Sequence, residues 1–323
     1  MRSRREFLRI AGAGVAASML PAAARAEPWP AKPIRAVVPF GPGSTIDIIG
    51  RIVAEPLSQA LGQPIVIENR GGAGGSIGSA AVAKADPDGY TLLIHASAHS
   101  AAPAVYPHLS YDVARDFAGV AVFGTVPNVT VISPAKGIRT LKELVDAAKK
   151  RPMTFASAGV GSATHWAVER LKLAAGFNAT HVPFKGGPEA LTQVASGEVD
   201  FMSIGVSSGM PFLRSGRLIA LAVSTPTRSS ALPDVPTTIE LGYPDSDYIF
   251  WNGMLAPAKT PRDIVNRLHE ETMKLLRQPA VAEKLKPQGL EPMPLAPAQF
   301  DALIAKEIES NKALVKAAGL KFN

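Results

Sequence analysis

Three short loops combine glycines with hydroxyl side chains, a combination that suits the binding of an anion. They are FGPGST at 40–45, NRGGAGGS at 69–76 and ASAGVGSATH at 156–165. Each loop follows an apolar run typical of a strand and precedes a helical pattern, so its N–H groups would lie at a helix start. Unpaired N–H groups and the helix dipole favour a negative charge there, and glycine lets a ligand approach the backbone closely. The three loops therefore predict an anion-binding site.

The same loops argue against nucleotides and leave one covalent alternative. The mature sequence contains neither G-x-x-x-x-G-K-[ST] nor G-x-G-x-x-G after a predicted strand. The stretch GGSIG at 74–78 does match the nucleophile pattern G-x-S-x-G, with Ser76 at its centre. In a hydrolase that serine follows its strand directly, whereas five residues separate Ser76 from Arg70, where the strand-like run ends. A secreted serine hydrolase that uses Ser76 stays an alternative.

The composition makes other kinds of site poor candidates. There are no cysteines, and the six histidines show no H-E-x-x-H spacing, so we expect no metal ion and no cofactor. Apolar residues make up 46% of the 323 residues, which is enough for a large core. After the first 26 residues, no run approaches the roughly 18 apolar residues of a membrane-spanning helix.

The first 26 residues have the pattern of a signal peptide. A basic start, MRSRREFLRI, is followed by an apolar stretch and by AAARA, so we predict export to the periplasm and cleavage near Ala26. SRREFL at 3–8 resembles the twin-arginine export consensus, and an ordinary secretion signal is the other interpretation. The segment carries five arginines and one glutamate, so its removal lowers the formal net charge from +7 to +3. So small a charge does not indicate a nucleic-acid partner.

Strand-like and helix-like segments alternate along the rest of the chain. The predicted strands are 34–40, 64–70, 90–97, two runs within 119–133, 153–159, 180–184, 199–205 and 218–224. The predicted helices include 45–61, 76–85, 140–150, 162–176, 261–277 and 297–318. Pro56 is expected to kink or interrupt the first of them. This alternation predicts an α/β protein with mainly parallel sheets, and the number of strands predicts two of them.

Two segments are candidates for paired crossings between two lobes. They are TVPNVTV at 125–131 and FWNGMLAP at 250–257. With crossings there, residues 27–126 and 250–323 would form lobe 1, and residues 127–249 would form lobe 2. In such sheets, ligands bind beyond the carboxyl ends of the strands, where the three loops are expected to lie.

Several blocks of sequence occur in an order found in one family. They include PFGPGSTIDIIGR, PIVIENRGGAGGSIGS, HVPFKGGPEAL and ALPDVPTTIELGYP. The chain resembles the substrate-binding receptors of tripartite tricarboxylate transporters, the Bug family. The resemblance implies a type II periplasmic-binding-protein fold, in which two α/β lobes flank a central cleft and two segments cross between them.

The resemblance also implies a function. A monomer would bind a small carboxylate (a di- or tricarboxylate, an amino acid or an aromatic acid) and deliver it to a membrane permease, without catalysis. A receptor that senses a carboxylate for signalling is a second alternative, which the sequence does not separate from uptake.

The residues implied as ligand contacts come from two of the loops. Phe40, Gly41, Pro42, Gly43, Ser44 and Asp47 belong to the first, and Ala158, Gly161, Ser162, Thr164 and His165 to the second. Ser44 stands where the family commonly has glycine. Ser203 stands near a usual acidic position, and we expect it in the cleft wall. Asp47 is expected to hold the helix start in place, while His165 either donates to a ligand or packs.

Overall fold

The computed structural model describes residues 29–318, and the predicted signal peptide lies outside them. The strands in chain order are β1 (Ile34–Val38), β2 (Ile65–Asn69), β3 (Thr91–Ala96), β4 (Phe117–Thr125), β5 (Asn128–Ile132), β6 (Thr154–Ser157), β7 (Thr180–Pro183), β8 (Phe201–Gly205), β9 (Ile219–Val223) and β10 (Trp251–Pro257). They form two five-stranded sheets, with the orders β2-β1-β3-β10-β4 and β7-β6-β8-β5-β9.

Helices pack on both sheets. They are α1 (Thr45–Leu61), α2 (Ser76–Ala83), α3 (Ala98–Val105), α4 (Leu141–Lys150), α5 (Ala163–Ala175), α6 (Gly187–Ser196), α7 (Val206–Arg214), α8 (Arg262–Leu276), α9 (Pro279–Leu285) and α10 (Pro297–Ala318). We call the first sheet with α1–α3 and α8–α10 lobe 1, and the second sheet with α4–α7 lobe 2. None of the helices in the described part of the chain has the length and hydropathy to span a membrane.

In each sheet four strands run in the same direction, in line with the mainly parallel sheets that the sequence pattern predicted, and one strand runs against them. In the first sheet β1 is parallel to β2 and β3, but β10 inserts antiparallel between β3 and β4. In the second, β6 is parallel to β7 and β8, while β5 runs antiparallel to β8 and β9. The antiparallel strands β5 and β10 are those that directly follow a passage of the chain from one sheet to the other.

Local sequence signals explain the helices that begin at the predicted loops. The apolar stripe of α1 packs into the core through residues such as Ile49, Val53 and Leu57. Contrary to the expectation of an interruption, α1 continues through Pro56 as one helix. In lobe 2, α4 begins with the predicted capping box, in which Thr140 and Glu143 bond to each other's backbone N–H groups.

The C-terminal helix α10 is anchored to the first sheet by aromatic packing. The rings of Trp251 on β10 and Phe300 on α10 are both fully buried and meet edge to face, with centroids 4.9 Å apart. The indole Nε1 of Trp251 donates to Glu307 Oε2 at 2.9 Å. Since β10 pairs with β3 on one side and with β4 on the other, this contact ties the end of the chain to the core of lobe 1.

Phe300→Ala should therefore lower the free energy of unfolding by about 3–5 kcal/mol, because the buried ring leaves a cavity against Trp251. Urea unfolding of the purified variant measures this loss. Leu173→Ala is the control, since Leu173 is 46% exposed and its truncation should change stability by no more than about 0.5 kcal/mol. Similar losses in the two variants would contradict this account.

Candidate functional site

A small cavity of about 30 Å³ lies between the two lobes. Lobe 1 contributes Phe40, Ser44, Thr45, Ile46, Ala96, Ala98 and Phe250 to its lining, and lobe 2 contributes Ala158, Ser162, Ala163, Thr164, Gly187 and Ile204. None of these side chains is charged. The cavity therefore offers an anion only neutral donors, namely hydroxyl groups and backbone N–H groups.

The first turn of α1 supplies donors from lobe 1. Ser44 precedes the helix in an extended conformation, and its own N–H donates to Gly41 O at 3.2 Å. Its hydroxyl is buried and has no hydrogen-bond partner among the described residues. The N–H groups of Thr45 and Ile46 have no acceptor within the helix, because first-turn amides never do. None of these three groups has a protein partner in residues 29–318, and all three belong to residues that line the cavity.

Asp47 holds this loop in place and does not line the cavity. Its carboxylate accepts from Gly43 N–H at 2.9 Å, from Arg51 Nε at 3.0 Å and from Asn69 Nδ2 at 2.9 Å. Burial alone would raise the pKa of Asp47, but these hydrogen bonds and the Arg51 charge lower it below its ordinary value. Asn69 also donates to Phe40 O at 2.9 Å, so the network fixes both ends of the loop.

The first turn of α5 supplies donors from lobe 2. The hydroxyl of Ser162 accepts weakly from His165 N–H at 3.4 Å. The N–H of Ala158 donates to Thr164 Oγ1 at 2.8 Å, and the N–H of Gly161 donates to His165 Nδ1 at 3.1 Å. The loop amides are therefore used inside the loop, and the N–H groups left for a ligand belong to the first helical residues, Ala163 and Thr164.

The structure brings some of the predicted contacts to the cavity and leaves others away from it. Phe40, Ser44, Ala158, Ser162 and Thr164 line it, whereas Gly41, Pro42, Gly43, Asp47, Gly161, His165 and Ser203 do not. Gly43, Gly161 and His165 instead make the hydrogen bonds that shape the two loops. Ser203 is buried in β8, where successive side chains point to opposite faces, so its neighbour Ile204 reaches the cavity.

Eight lining residues of the cavity were not among the predicted contacts. Thr45, Ile46 and Ala163 lie at the two predicted helix starts, Ile204 is the neighbour of Ser203, and the other four lie elsewhere. Ala96 and Ala98 flank the turn from β3 to α3, which is another strand–helix junction but has no glycine. Gly187 begins α6, and Phe250 precedes β10. The stretches HASAHS and FKGGPE carry the same strand-then-helix pattern as the recognised loops, and this pattern is the signal that could have found Ala96, Ala98 and Gly187.

The third glycine-rich loop, at 69–76, borders a groove that is different from the cavity and larger than it. Residues 72–74 line a groove of about 700 Å³ together with Tyr106, Val160 and Lys185, and Ala158 lines both this groove and the cavity. Ser76 opens α2 after a short turn at 73–75, and within the described residues no histidine is hydrogen-bonded to it. No group of three or more His, Asp or Glu side chains in residues 29–318 is placed to hold a metal ion.

The lobes touch each other at both sides of the cavity. Tyr106 of lobe 1 donates to Val160 O of lobe 2 at 2.6 Å. Ser208 of lobe 2 donates to Gly43 O at 3.0 Å and lies 3.1 Å from Thr45 Oγ1. At Gly205 the approach is so close that an added Cβ would lie 2.9 Å from Thr45 Cγ2. The structure thus has its two lobes closed on a cavity with little free volume.

Comparisons with known proteins agree with this architecture. The family described as "Tripartite tricarboxylate transporter family receptor" matches residues 49–320. A UPF0065 protein from the tcbD–tcbE intergenic region of Pseudomonas sp. strain P51 is 37% identical, covering 96% of this chain and 94% of its own. Protein BugT of Bordetella pertussis is 35% identical, covering 98% of each chain.

Two solved structures of similar proteins contain carboxylates. A Rhodopseudomonas palustris protein with adipate is 33% identical, covers 90% of this chain and 98% of its own, and superposes with a TM-score of 0.87. MatC from Rhodopseudomonas palustris with bound malate is 32% identical, covers 89% of this chain and 100% of its own, and has a TM-score of 0.83. These likenesses confirm the predicted periplasmic-binding-protein fold. The chain belongs to the family of tripartite tricarboxylate transporter receptors, of the Bug type.

Proposed function

We propose that this chain is a periplasmic receptor that binds a small carboxylate between its lobes and delivers it to the permease of a tripartite tricarboxylate transporter. The observation that carries the proposal is the meeting of two helix starts, from α1 and α5, at one cavity without a charged side chain. The unpartnered Ser44 hydroxyl, buried at the same place, adds a donor. Hydroxyl and amide donors at helix starts suit a carboxylate.

The lobe assignment and the export of the chain belong to the same proposal. We infer that residues 27–126 with 250–323 form one lobe and 127–249 the other, since the strands of each range pair only within one sheet. We also infer that residues 1–26 direct export and are removed. The chain would then meet its ligand in the periplasm as a monomer.

Dicarboxylates such as malate and adipate are the first candidates for the ligand, because relatives at 32–33% identity are solved with them. A cavity needs about 10–15 Å³ to hold one water molecule, so the present cavity has room for about two and is too small for either acid. Binding then requires the lobes to open and to close again around the ligand, with the two crossings as the hinge.

The affinity must come from several contacts together. A helix-start contact contributes on the order of 0.3–1 kcal/mol when exposed and up to about 2 kcal/mol when partly buried. A micromolar dissociation constant corresponds to about 8 kcal/mol. Two helix starts therefore supply only part of this free energy, and hydroxyl donors and lobe closure must supply the rest.

A thermal-shift screen against small mono-, di- and tricarboxylates tests the proposal. A carboxylate at 100 times its dissociation constant stabilises the folded protein by about 2.7 kcal/mol, which raises the melting temperature measurably. Sulfate and simple amines at equal ionic strength are the controls. If ligand-free protein responded to no acid in a broad panel, the proposed function would be wrong.

Ala163→Pro tests the backbone donors directly. Ala163 is the first residue of α5, where proline is well tolerated, and Ser162 before it already has the extended conformation that proline requires. The variant should fold normally but lose the Ala163 N–H and place ring atoms in the cavity. We expect affinity for the best carboxylate of the screen to fall at least tenfold, measured by calorimetry.

Ala163→Gly is the matched control, because it changes the same side chain and keeps the N–H group. It should bind within about threefold of the wild type, which corresponds to less than roughly 0.7 kcal/mol. Equal affinities of the folded Pro and Gly variants would rule out a ligand bond to this amide.

Gly205→Ala tests lobe closure. The new methyl group would collide with Thr45 across the cleft, so the lobes should stay apart while each lobe keeps its own core. We expect at least a tenfold loss of carboxylate affinity and a larger radius of gyration by small-angle scattering with ligand present.

Gly209→Ala serves as the control for this variant. An added methyl group there would meet only Ile204 and Val129, both in lobe 2, so closure should be unaffected. A Gly205→Ala protein that bound the carboxylate as tightly as the Gly209→Ala protein would show that binding does not need the closed arrangement.

A further inference from the structure

Two histidines from different elements stack behind the loop that leads into α5. His165 belongs to the first turn of α5, and His181 belongs to β7. Their ring centroids are 4.0 Å apart and their planes differ by 8°. Phe155 of β6 lies almost parallel to both, with centroid distances of 4.8 Å to His181 and 5.9 Å to His165. The packing holds both imidazoles in fixed orientations.

His165 bonds directly to the loop. Its Nδ1 accepts from Gly161 N–H at 3.1 Å, so Nδ1 carries no proton in this arrangement. Its Nε2 faces Glu169 Oε1 at 3.7 Å. The Gly161 backbone has φ +75°, in the left-handed region, and the hydrogen bond to His165 holds that conformation.

His181 reaches the same loop through Ser157. Its Nε2 lies 2.6 Å from Ser157 Oγ, and Ser157 Oγ accepts from Gly159 N–H at 3.1 Å. Ser157 is fully buried at the end of β6. Gly159 also has a positive φ, at +116°. The two rings therefore hold the two glycines that give the loop its shape.

The charged groups facing the pair lie on α5. Glu169 accepts from Lys172 Nζ at 2.7 Å, and Lys172 Nζ also lies 5.2 Å from the centroid of Phe155. From β6, the facing side chains are Phe155 and Ser157, which do not titrate. Burial, with His165 and Lys172 nearby, lowers the pKa of His181 to about 3, against the opposing effect of Glu169.

We propose that His165 and His181 are positioning residues that hold loop 158–162 so that the first-turn amides of α5 face the ligand, and that ligand affinity requires both rings to be neutral. This inference rests on the proposed function and adds a pH dependence to it. A protonated Nδ1 on His165 cannot accept from Gly161. Two protonated rings 4.0 Å apart would also repel each other.

The sign of the pH effect follows from the His181 pKa. When the loop opens and the partly buried His181 becomes more exposed to water, its pKa rises toward 6.5, so the open loop binds a proton more readily than the closed loop. The closed loop has its full stability above pH 6.5 and loses it as the pH falls toward 3. We expect affinity for malate or adipate to fall about tenfold between pH 7.5 and pH 5.

Two conservative substitutions separate positioning from a merely structural role. In His165→Asn the amide oxygen takes the place of Nδ1, and in His181→Gln the amide group takes the place of Nε2; neither side chain titrates. The double variant should bind near wild-type affinity at pH 7.5 and lose much less of it at pH 5. The acid's own carboxyl groups titrate equally with both proteins, so the difference isolates the imidazoles.

Hydrogen exchange provides a second measurement that needs no ligand. In the ligand-free wild type, protection of the Gly159 and Gly161 amides should fall between pH 7.5 and pH 5, after correction for intrinsic rates. The double variant should keep its protection. His165→Leu should lose protection of Gly161 at both pH values, and Ser157→Ala should lose that of Gly159 even if a histidine variant fails to fold.

The results would separate the two proposals. Equal pH dependence of affinity in wild type and double variant would overturn the positioning role, as would unchanged Gly161 protection in folded His165→Leu. If wild type bound no carboxylate at any pH, the proposed function would fail, and the exchange data alone would uphold or overturn the role of the two rings in holding the loop.

Discussion

Two helix starts must face each other across a cleft, and their N–H groups have no acceptors within their own helices. This constraint organises the structure, because an amide dipole attracts an anion only if it is aimed at it and kept from other partners. Neither lobe supplies a charged side chain to the cavity lining. The direction of the amides therefore has to be fixed by the loops before α1 and α5, and most polar contacts near the site serve that end.

The two lobes fix their loops with opposite chemistry. In lobe 1 the ionised Asp47 accepts three hydrogen bonds, and the donors around it lower its pKa, so this network is at full strength throughout the neutral range. In lobe 2 two imidazoles hold the loop: Nδ1 of His165 accepts from Gly161 N–H, which it can do only when unprotonated, and Nε2 of His181 is hydrogen-bonded to Ser157 Oγ. One half of the site is thus insensitive to mild acid while the other half is sensitive to it, although both present the same kind of backbone donor.

Features that depend on a few consecutive residues could be predicted from the sequence. The bounds of α1, the capping box of α4 and the loops that open α1 and α5 follow from local patterns and match the structure. The antiparallel insertion of β10 could not be predicted, since its partners β3 and β4 lie far away in the chain. For the same reason Phe250 and the stacking of His181 on His165 gave no local signal. Ser203 was expected in the cleft wall but does not line the cavity, for a different reason: one step along a strand reverses the face that a side chain occupies.

Because the closed cleft encloses a cavity of only about 30 Å³, discrimination between ligands depends on how well the lobes close around each of them. The contacts of Tyr106 with Val160, and of Ser208 with Gly43, join the lobes directly and so contribute to the stability of the closed arrangement. A ligand shifts the equilibrium only by the difference between its affinities for the closed and open forms. An acid that fits while these contacts form retains their contribution to the binding free energy. An acid that holds the lobes slightly apart loses that contribution. No cationic side chain lines the cavity, so no charged group attracts all anions equally. The size and shape of the ligand, which determine whether Thr45 and Gly205 can come together, are then the basis of selection.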